Sequence, residues 1–264
     1  MFSGRGSAGA RRPGRMVISP RMEASRVSPV EAASEIFSAR YAGARVLFLA
    51  GSVMRGEATP ASDLDIVVVY ERLPGAYREA FTHAGWPVEA FVHDEESIRH
   101  FFERDRLRGL PALMRMVMEG TEVPGASDFS AGLKRLAEEI HEAGPARFGD
   151  DEMLLRRYRL TDWADDMRFP RSDEELLATG AALYQDAADF YFRARGLWSS
   201  HSKTIPRRLC ETDADFAARF IAAFDALFTE KRPEPAISLV EELLEPFGGL
   251  LFDGFRKEAL RGDK

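Results

Sequence analysis

The sequence predicts a two-domain α+β protein, with a small mixed β-sheet and flanking helices over residues 28–108 and an α-helical bundle over 109–264. Three observations carry this expectation. Short β-branched runs are confined to the first half of the chain, long helical periodicities fill the second half, and 264 residues exceed the roughly 150 of a typical single domain. Residues 1–27 stand apart from both halves. They are rich in Gly, Ser, Arg and Pro without an apolar period, so burial cannot repay the entropy of ordering them, and a disordered basic arm is expected.

From Ser28 the signals become regular. Ser28-Pro29-Val30-Glu31 combines an N-cap, a proline in the first helical turn and a glutamate three residues after the cap, which predicts a helix to about Tyr41. Val46-Leu47-Phe48-Leu49 and Leu64-Asp65-Ile66-Val67-Val68-Val69-Tyr70 read as buried strands. A short helix is expected between Pro74 and Gly85, then a third strand over Pro87–His93 and a helix from Glu95 to about Arg106. After residue 110 the β signal gives out. Leu133, Leu136, Ala137 and Ile140 mark one helical face, and Met153, Leu154, Tyr158 and Trp163 begin another. Further helices are expected over about 173–195, 205–228 and 236–246, separated by prolines and glycines, with Phe190, Tyr191, Phe192, Phe216, Phe220 and Phe224 in their core.

Composition narrows the function. The net charge of −7 combines an excess of +5 over residues 1–29 with −12 on the remainder, and an acidic body repels a phosphate backbone, so no duplex nucleic-acid grip is expected. The chain contains no apolar run long enough to span a membrane or to act as a signal-peptide core, so a cytoplasmic location is expected. A single cysteine, Cys210, excludes an internal disulfide and a cysteine-rich zinc site. His83, His93, His100, His141 and His201 have no metal-ligand spacing and are expected at the surface or at helix ends.

Chemistry concentrates between residues 51 and 89. Gly51-Ser52-Val53-Met54-Arg55-Gly56 follows the first strand as a Gly-Ser turn leading into a helix, an arrangement whose N–H groups and hydroxyl can bind phosphate oxygens. Asp63 and Asp65, at i and i+2 entering a valine-rich strand, face the same way, and carboxylates so close require a cation. Hard oxygen ligands without thiols favour Mg²⁺ over zinc. Glu89 is an acid within the third strand and completes a three-carboxylate cluster if that strand lies beside the second. Asp162, Asp165 and Asp166 share a helical face, either as a solvated acidic surface or as a group that holds an acceptor amine or supplies a general base.

Gly51-Ser52, Arg55-Gly56, Asp63-Leu64-Asp65 and Glu89 resemble, in order, spacing and element type, the active-site signature of the nucleotidyltransferase superfamily typified by DNA polymerase β. Trp86–Glu96 is similar to the third-carboxylate strand of kanamycin nucleotidyltransferase and related aminoglycoside-modifying enzymes, and Arg157–Asp166 and Gly196–Lys203 look like segments of the helical domain in bacterial members. The resemblance implies two Mg²⁺ ions on Asp63 and Asp65, with Glu89 as a further ligand or as the base. Gly51 and Ser52 would hold the triphosphate of an NTP, with ATP the expected one, assisted by Arg55 and by Lys203 from the other domain. Residues 28–108 would then form the nucleotidyltransferase domain and 109–264 the acceptor-binding one. The expected reaction moves an NMP to a hydroxyl of a small, aminoglycoside-like acceptor, in a monomer or homodimer. A protein AMP-transferase of toxin–antitoxin type and a non-catalytic nucleotide sensor are the alternatives.

Overall fold

The computed structural model describes residues 26–258. The expected disordered arm falls outside them except for its last two residues, which are docked: Trp86 Nε1 donates to the Val27 carbonyl at 2.9 Å and Arg26 lies 4.5 Å over the Trp86 ring. Helix α1 (Pro29–Arg40) begins as its cap sequence predicts, with Ser28 Oγ accepting from the Glu31 N–H at 3.2 Å.

Among the described residues five strands form one sheet: β1 (Val46–Ala50), β2 (Leu64–Tyr70), β3 (Tyr77–His83), β4 (Trp86–Asp94) and β5 (Thr121–Val123), in the order β3-β4-β2-β1-β5. Only β2 and β4 run parallel; the other pairs are antiparallel. Two strands depart from expectation. The segment between Pro74 and Gly85 is β3 rather than a helix, joined to β4 by a two-residue turn with positive φ at Ala84 (46°) and Gly85 (80°). That mirror-image turn matches strand twist and closes a hairpin, overriding helical propensity. The β signal also continues past residue 110, because Thr121–Val123 adds to the β1 edge.

Strand alternation divides the sheet into two apolar faces. Leu47, Leu49, Leu64, Ile66, Val68, Ala90 and Val92 pack under α1. Val46, Phe48, Val67 and Val69 pack under three helices: α2 (Glu95–Arg108), α3 (Ala112–Glu119), which sequence reading did not anticipate, and α4 (Asp128–Glu142). A division between 108 and 109 would cut through this second core, since Ile98 and Phe102 share it with Leu113, Met114, Val117 and Leu133.

The remaining helices, α5 (Asp150–Arg168), α6 (Asp173–Arg193), α7 (Ile205–Thr212), α8 (Ala214–Glu230) and α9 (Glu234–Leu244), enclose a separate core that includes the expected aromatic stripe. The single helix expected over 205–228 is α7 plus α8. Asp213 takes an extended conformation between them, and its carboxylate caps α8 by accepting from the Phe216 N–H at 2.9 Å. On α5 the buried face is Leu160, Thr161, Ala164 and Met167, whereas Leu154 is exposed. Two main-chain bonds tie the bundle and its linker to the end of α2, Ser199 N–H to Gly109 O at 2.8 Å and Ala146 N–H to Arg106 O at 2.9 Å. Among the described residues no helix is long and apolar enough to cross a membrane.

Candidate active site

The parallel β2–β4 pairing sets Asp65 directly beside Glu89, and the antiparallel β1–β2 pairing sets Asp65 beside Ala50. Alternation places Asp65 on the same face as Val67 and Val69, and Glu89 on the same face as Phe91. Those apolar neighbours are covered by the helices, while the acids occupy the end of the face where that cover stops. Asp63 follows the same alternation just before β2. One oxygen from each of Asp63, Asp65 and Glu89 lies within 4.8 Å of the others, and all three residues are half-buried. Burial, and then the neighbouring Asp63 and Glu89, push the Asp65 carboxyl up to about 6, against the opposing pull of Arg55 and Arg78. Three crowded carboxylates with only oxygen donors suit a hard divalent cation, and among the described residues no other cluster of His, Cys, Asp and Glu offers such a set.

Gly51 has φ +86°, and a Cβ there would lie 2.2 Å from Asp65 Oδ2, so only glycine allows the turn to pass this close to the carboxylate. The loop then folds around Ser62: Ser52 Oγ and Ser62 Oγ are 3.2 Å apart, the Thr59 N–H donates to Ser62 Oγ at 2.8 Å, and the Glu57 N–H donates to the Ser52 carbonyl at 2.9 Å. The helix expected after Gly51-Ser52 is absent. Residues 52–56 form successive turns, so any phosphate contact there relies on individual N–H and O–H groups without a helix dipole.

Arg55 is not free. Its guanidinium bonds Glu57 at 3.3 Å and Glu119 at 3.4 Å, and Glu57 also accepts from Arg207 of α7 at 2.6 Å. Glu57 therefore bridges the loop to the helical bundle, and Arg207 first, then Arg55, hold its carboxyl below the usual range. Lys203 lies in the exposed 3-10 turn Ser202–Thr204, four residues before Arg207. Sequence reading missed Arg78, whose guanidinium pairs with Glu89 from the adjacent β3, along with Glu57 and Arg207. No signal for Arg78 was readable while its segment passed for a helix.

Asp162, Asp165 and Asp166 do not join the carboxylate cluster. They lie on α5, where Asp165 pairs with Arg168 at 3.3 Å and Arg168 also pairs with Glu241 of α9. Burial, then Asp166 and Asp165, raise the Asp162 carboxyl. His93 contradicts the expected surface placement. As the next inward position after Phe91 it is 4% exposed, 4.9 Å from the Phe101 ring, and its Nδ1 has no hydrogen-bond partner.

Residues 30–115 match the family model of the nucleotidyltransferase domain. No curated protein matches the sequence. Solved structures that match include the crystal structure of a nucleotidyltransferase-like protein from Exiguobacterium sibiricum 255-15. It is 16% identical, with a TM-score of 0.44 over 82% of this chain and 74% of that one.

Proposed function

From the premise that this chain carries a nucleotidyltransferase domain over residues 30–115, we propose that it transfers an NMP from an NTP to a hydroxyl of a small acceptor. The observation that carries the reading is the convergence of Asp63, Asp65 and Glu89 beside the Gly51–Ser52 turn. These carboxylates would hold two Mg²⁺ ions. Bound there, the metal would lower the pKa of an attacking hydroxyl and neutralise charge on the pyrophosphate leaving group. The chain's own residues supply position. Gly51 lets the loop approach the acids, the Ser52 hydroxyl, which donates to the buried Ser62 Oγ at 3.2 Å, would turn to a phosphate oxygen, and Arg78 pairs with the Glu89 carboxylate.

Arg55 on the loop and Arg207 on α7 are both held by Glu57. A triphosphate is the stronger multidentate partner for arginine and takes them over, so Glu57 acts as an internal competitor that nucleotide displaces. Lys203, in the exposed turn four residues before Arg207, would add a third cation. The acidic remainder of the chain, at −12 outside residues 1–29, favours a cationic acceptor such as an aminoglycoside-like polyamine alcohol. We place the domain division at about residues 144–149, where the chain leaves α4 and before α5 starts the separate core.

The test is incubation of the full chain with Mg²⁺, each NTP and a panel of aminoglycosides and small-molecule extracts, read by mass spectrometry. A product heavier by one NMP, absent with Asp65→Asn, is the expected result. Its absence with every NTP, together with no Mg²⁺-dependent NTP binding by calorimetry, refutes the reading.

A further inference from the structure

A cavity of about 590 Å³ opens where the end of α2, the linker through Ala146–Gly149, α5 and α6 meet. None of Asp63, Asp65, Glu89 or the 51–62 loop lines it, so it is not part of the carboxylate site. Its volume lies within the range of about 300–1,000 Å³ typical of small-molecule sites, and Leu107, Leu110 and Phe148 give it apolar walls.

The charge inside it is unevenly satisfied. Glu152 and Asp189 both bond Arg156, at 2.7 and 2.6 Å. Asp186 accepts from Arg159 at 2.7 Å and from Trp163 Nε1 at 3.0 Å. The cavity's carboxylates are thus occupied. Arg108, Arg147 and Arg193 line the same space and, among the described residues, have no carboxylate partner within salt-bridge distance.

Arg193 is the unusual one, because it is only 7% exposed. Its Nη1 donates to the Arg108 carbonyl at 3.2 Å, its Nη2 to the Ala146 carbonyl at 2.9 Å, and its Nε has no partner. The guanidinium lies 4.6 Å from the Phe148 ring centroid, and its stem fits over Gly109, where a Cβ would come within 2.5 Å of Cδ. Burial pulls its pKa down, opposed by Asp189 and Glu152, which stand nearby without bonding it, and aided by Arg156. A buried charge of this kind is costly unless an anion joins it.

We propose that this cavity binds a small molecule bearing a phosphate or carboxylate group, with Arg193 as the buried anchor and Arg108 and Arg147 as rim contacts. A cationic ligand would have to break the Arg156 or Arg159 pairs before meeting a free carboxylate, whereas an oxyanion meets Arg108 and Arg147 without carboxylate partners and the remaining donors of Arg193. Because Arg193 also grips main-chain carbonyls on both sides of the α2–α5 junction, a bound anion stiffens the joint between the sheet-based unit and the bundle.

The experiment titrates the full chain by calorimetry in EDTA, at fixed ionic strength, with glucose 6-phosphate and with citrate, using glucose as the neutral control. Saturable binding of at least one anion and none of glucose is expected. Asp65→Asn should leave that affinity unchanged, Arg193→Lys should weaken it tenfold or more, and the exposed-rim variant Arg108→Gln/Arg147→Gln should weaken it at least threefold. The rim variant tests the assignment even if position 193 does not tolerate change. Failure of both anions to bind, equal binding of glucose, an affinity indifferent to the rim variant, or loss of binding in Asp65→Asn would each overturn the proposal. None of these outcomes depends on NMP transfer, so the two readings stand or fall separately.

Discussion

Replacing His93 with phenylalanine should abolish a specific part of the protein's acid sensitivity. Burial pushes the His93 imidazole down from 6.5 to about 4, with Asp94 opposing only weakly, and Nδ1 has no acceptor to donate to. The folded pKa lies below the unfolded one, so the unfolded chain binds the extra proton between these values. Stability is fully present above pH 6.5 and is lost as pH falls towards 4. At 1.36 kcal/mol per pH unit, that interval amounts to about 3 kcal/mol. Asp65 and Asp105 shift the other way, both up to about 6, mainly through burial. Their folded pKa values exceed the unfolded ones, so they favour the folded state as pH falls and partly mask the histidine in the wild type. The difference between variant and wild type removes that background. Chemical denaturation at pH 7.5 and pH 4.2 should show the stability advantage of His93→Phe growing by about 3 kcal/mol on acidification. A difference that stays constant between the two pH values would show that His93 titrates as freely as an exposed histidine, and the burial argument would fail.

Asp63→Asn and Asp65→Asn should each reduce Mg²⁺-dependent transfer at least a hundredfold while the protein still folds, because charge is removed without volume; residual turnover above about a tenth of wild type would contradict the metal-ligand role. Asp65→Asn should also raise the denaturation midpoint in metal-free buffer, since it relieves repulsion with Asp63 and Glu89, and a lower midpoint would count against that repulsion. Gly51→Ala should damage the site more than Gly56→Ala, although both residues have positive φ, because only position 51 drives a Cβ into Asp65; equal loss of NTP affinity in the two variants would refute the steric account. Glu57→Gln should tighten NTP binding several-fold and Arg207→Gln should weaken it, measured by calorimetry in Mg²⁺, and an unchanged affinity in Glu57→Gln would end the competitor assignment. Deleting residues 1–27 should cost about 1 kcal/mol more than deleting 1–25, since only the longer truncation removes the Val27 carbonyl and Arg26 from Trp86; identical melting curves would show that this docking contributes nothing.

Much of the fold was legible where one local rule dominates. The Ser28 cap, the valine-rich β2 and the helix expected from Glu95 each follow from a local pattern, and each appears in place. Legibility failed where distant pairing decides. Tyr77–His83 has a weak strand pattern of its own and becomes β3 because β4 offers it an edge, and Thr121–Val123 is too short to register without β1. Asp63 and Asp65 were readable for the opposite reason, since their spacing fixes a shared face, whereas Glu89 reaches them only through the β2–β4 pairing. Arg78, Glu57 and Arg207 act through contacts that bring together β3, the 51–62 loop and α7, so no spacing in the sequence announces them.

Asp65 and Glu89 also break the pattern of their own strands. Along the helix-covered face, β2 reads Val69, Val67, Asp65 and β4 reads His93, Phe91, Glu89, so the acids take the next positions in two series otherwise free of carboxylates. A sheet selected only for stability would continue those series, because an apolar residue at position 65 would avoid both the desolvation and the repulsion that raise its carboxyl to about 6. Adjacent strands break the rule at the same level, and a glycine on a third strand's exit leaves room for the resulting carboxylate. A single misplaced acid can be a tolerated defect. Three acids brought to one point, with a backbone shaped to accommodate them, mark a local conflict that stability does not explain and that a cation, on the proposed reading, would resolve.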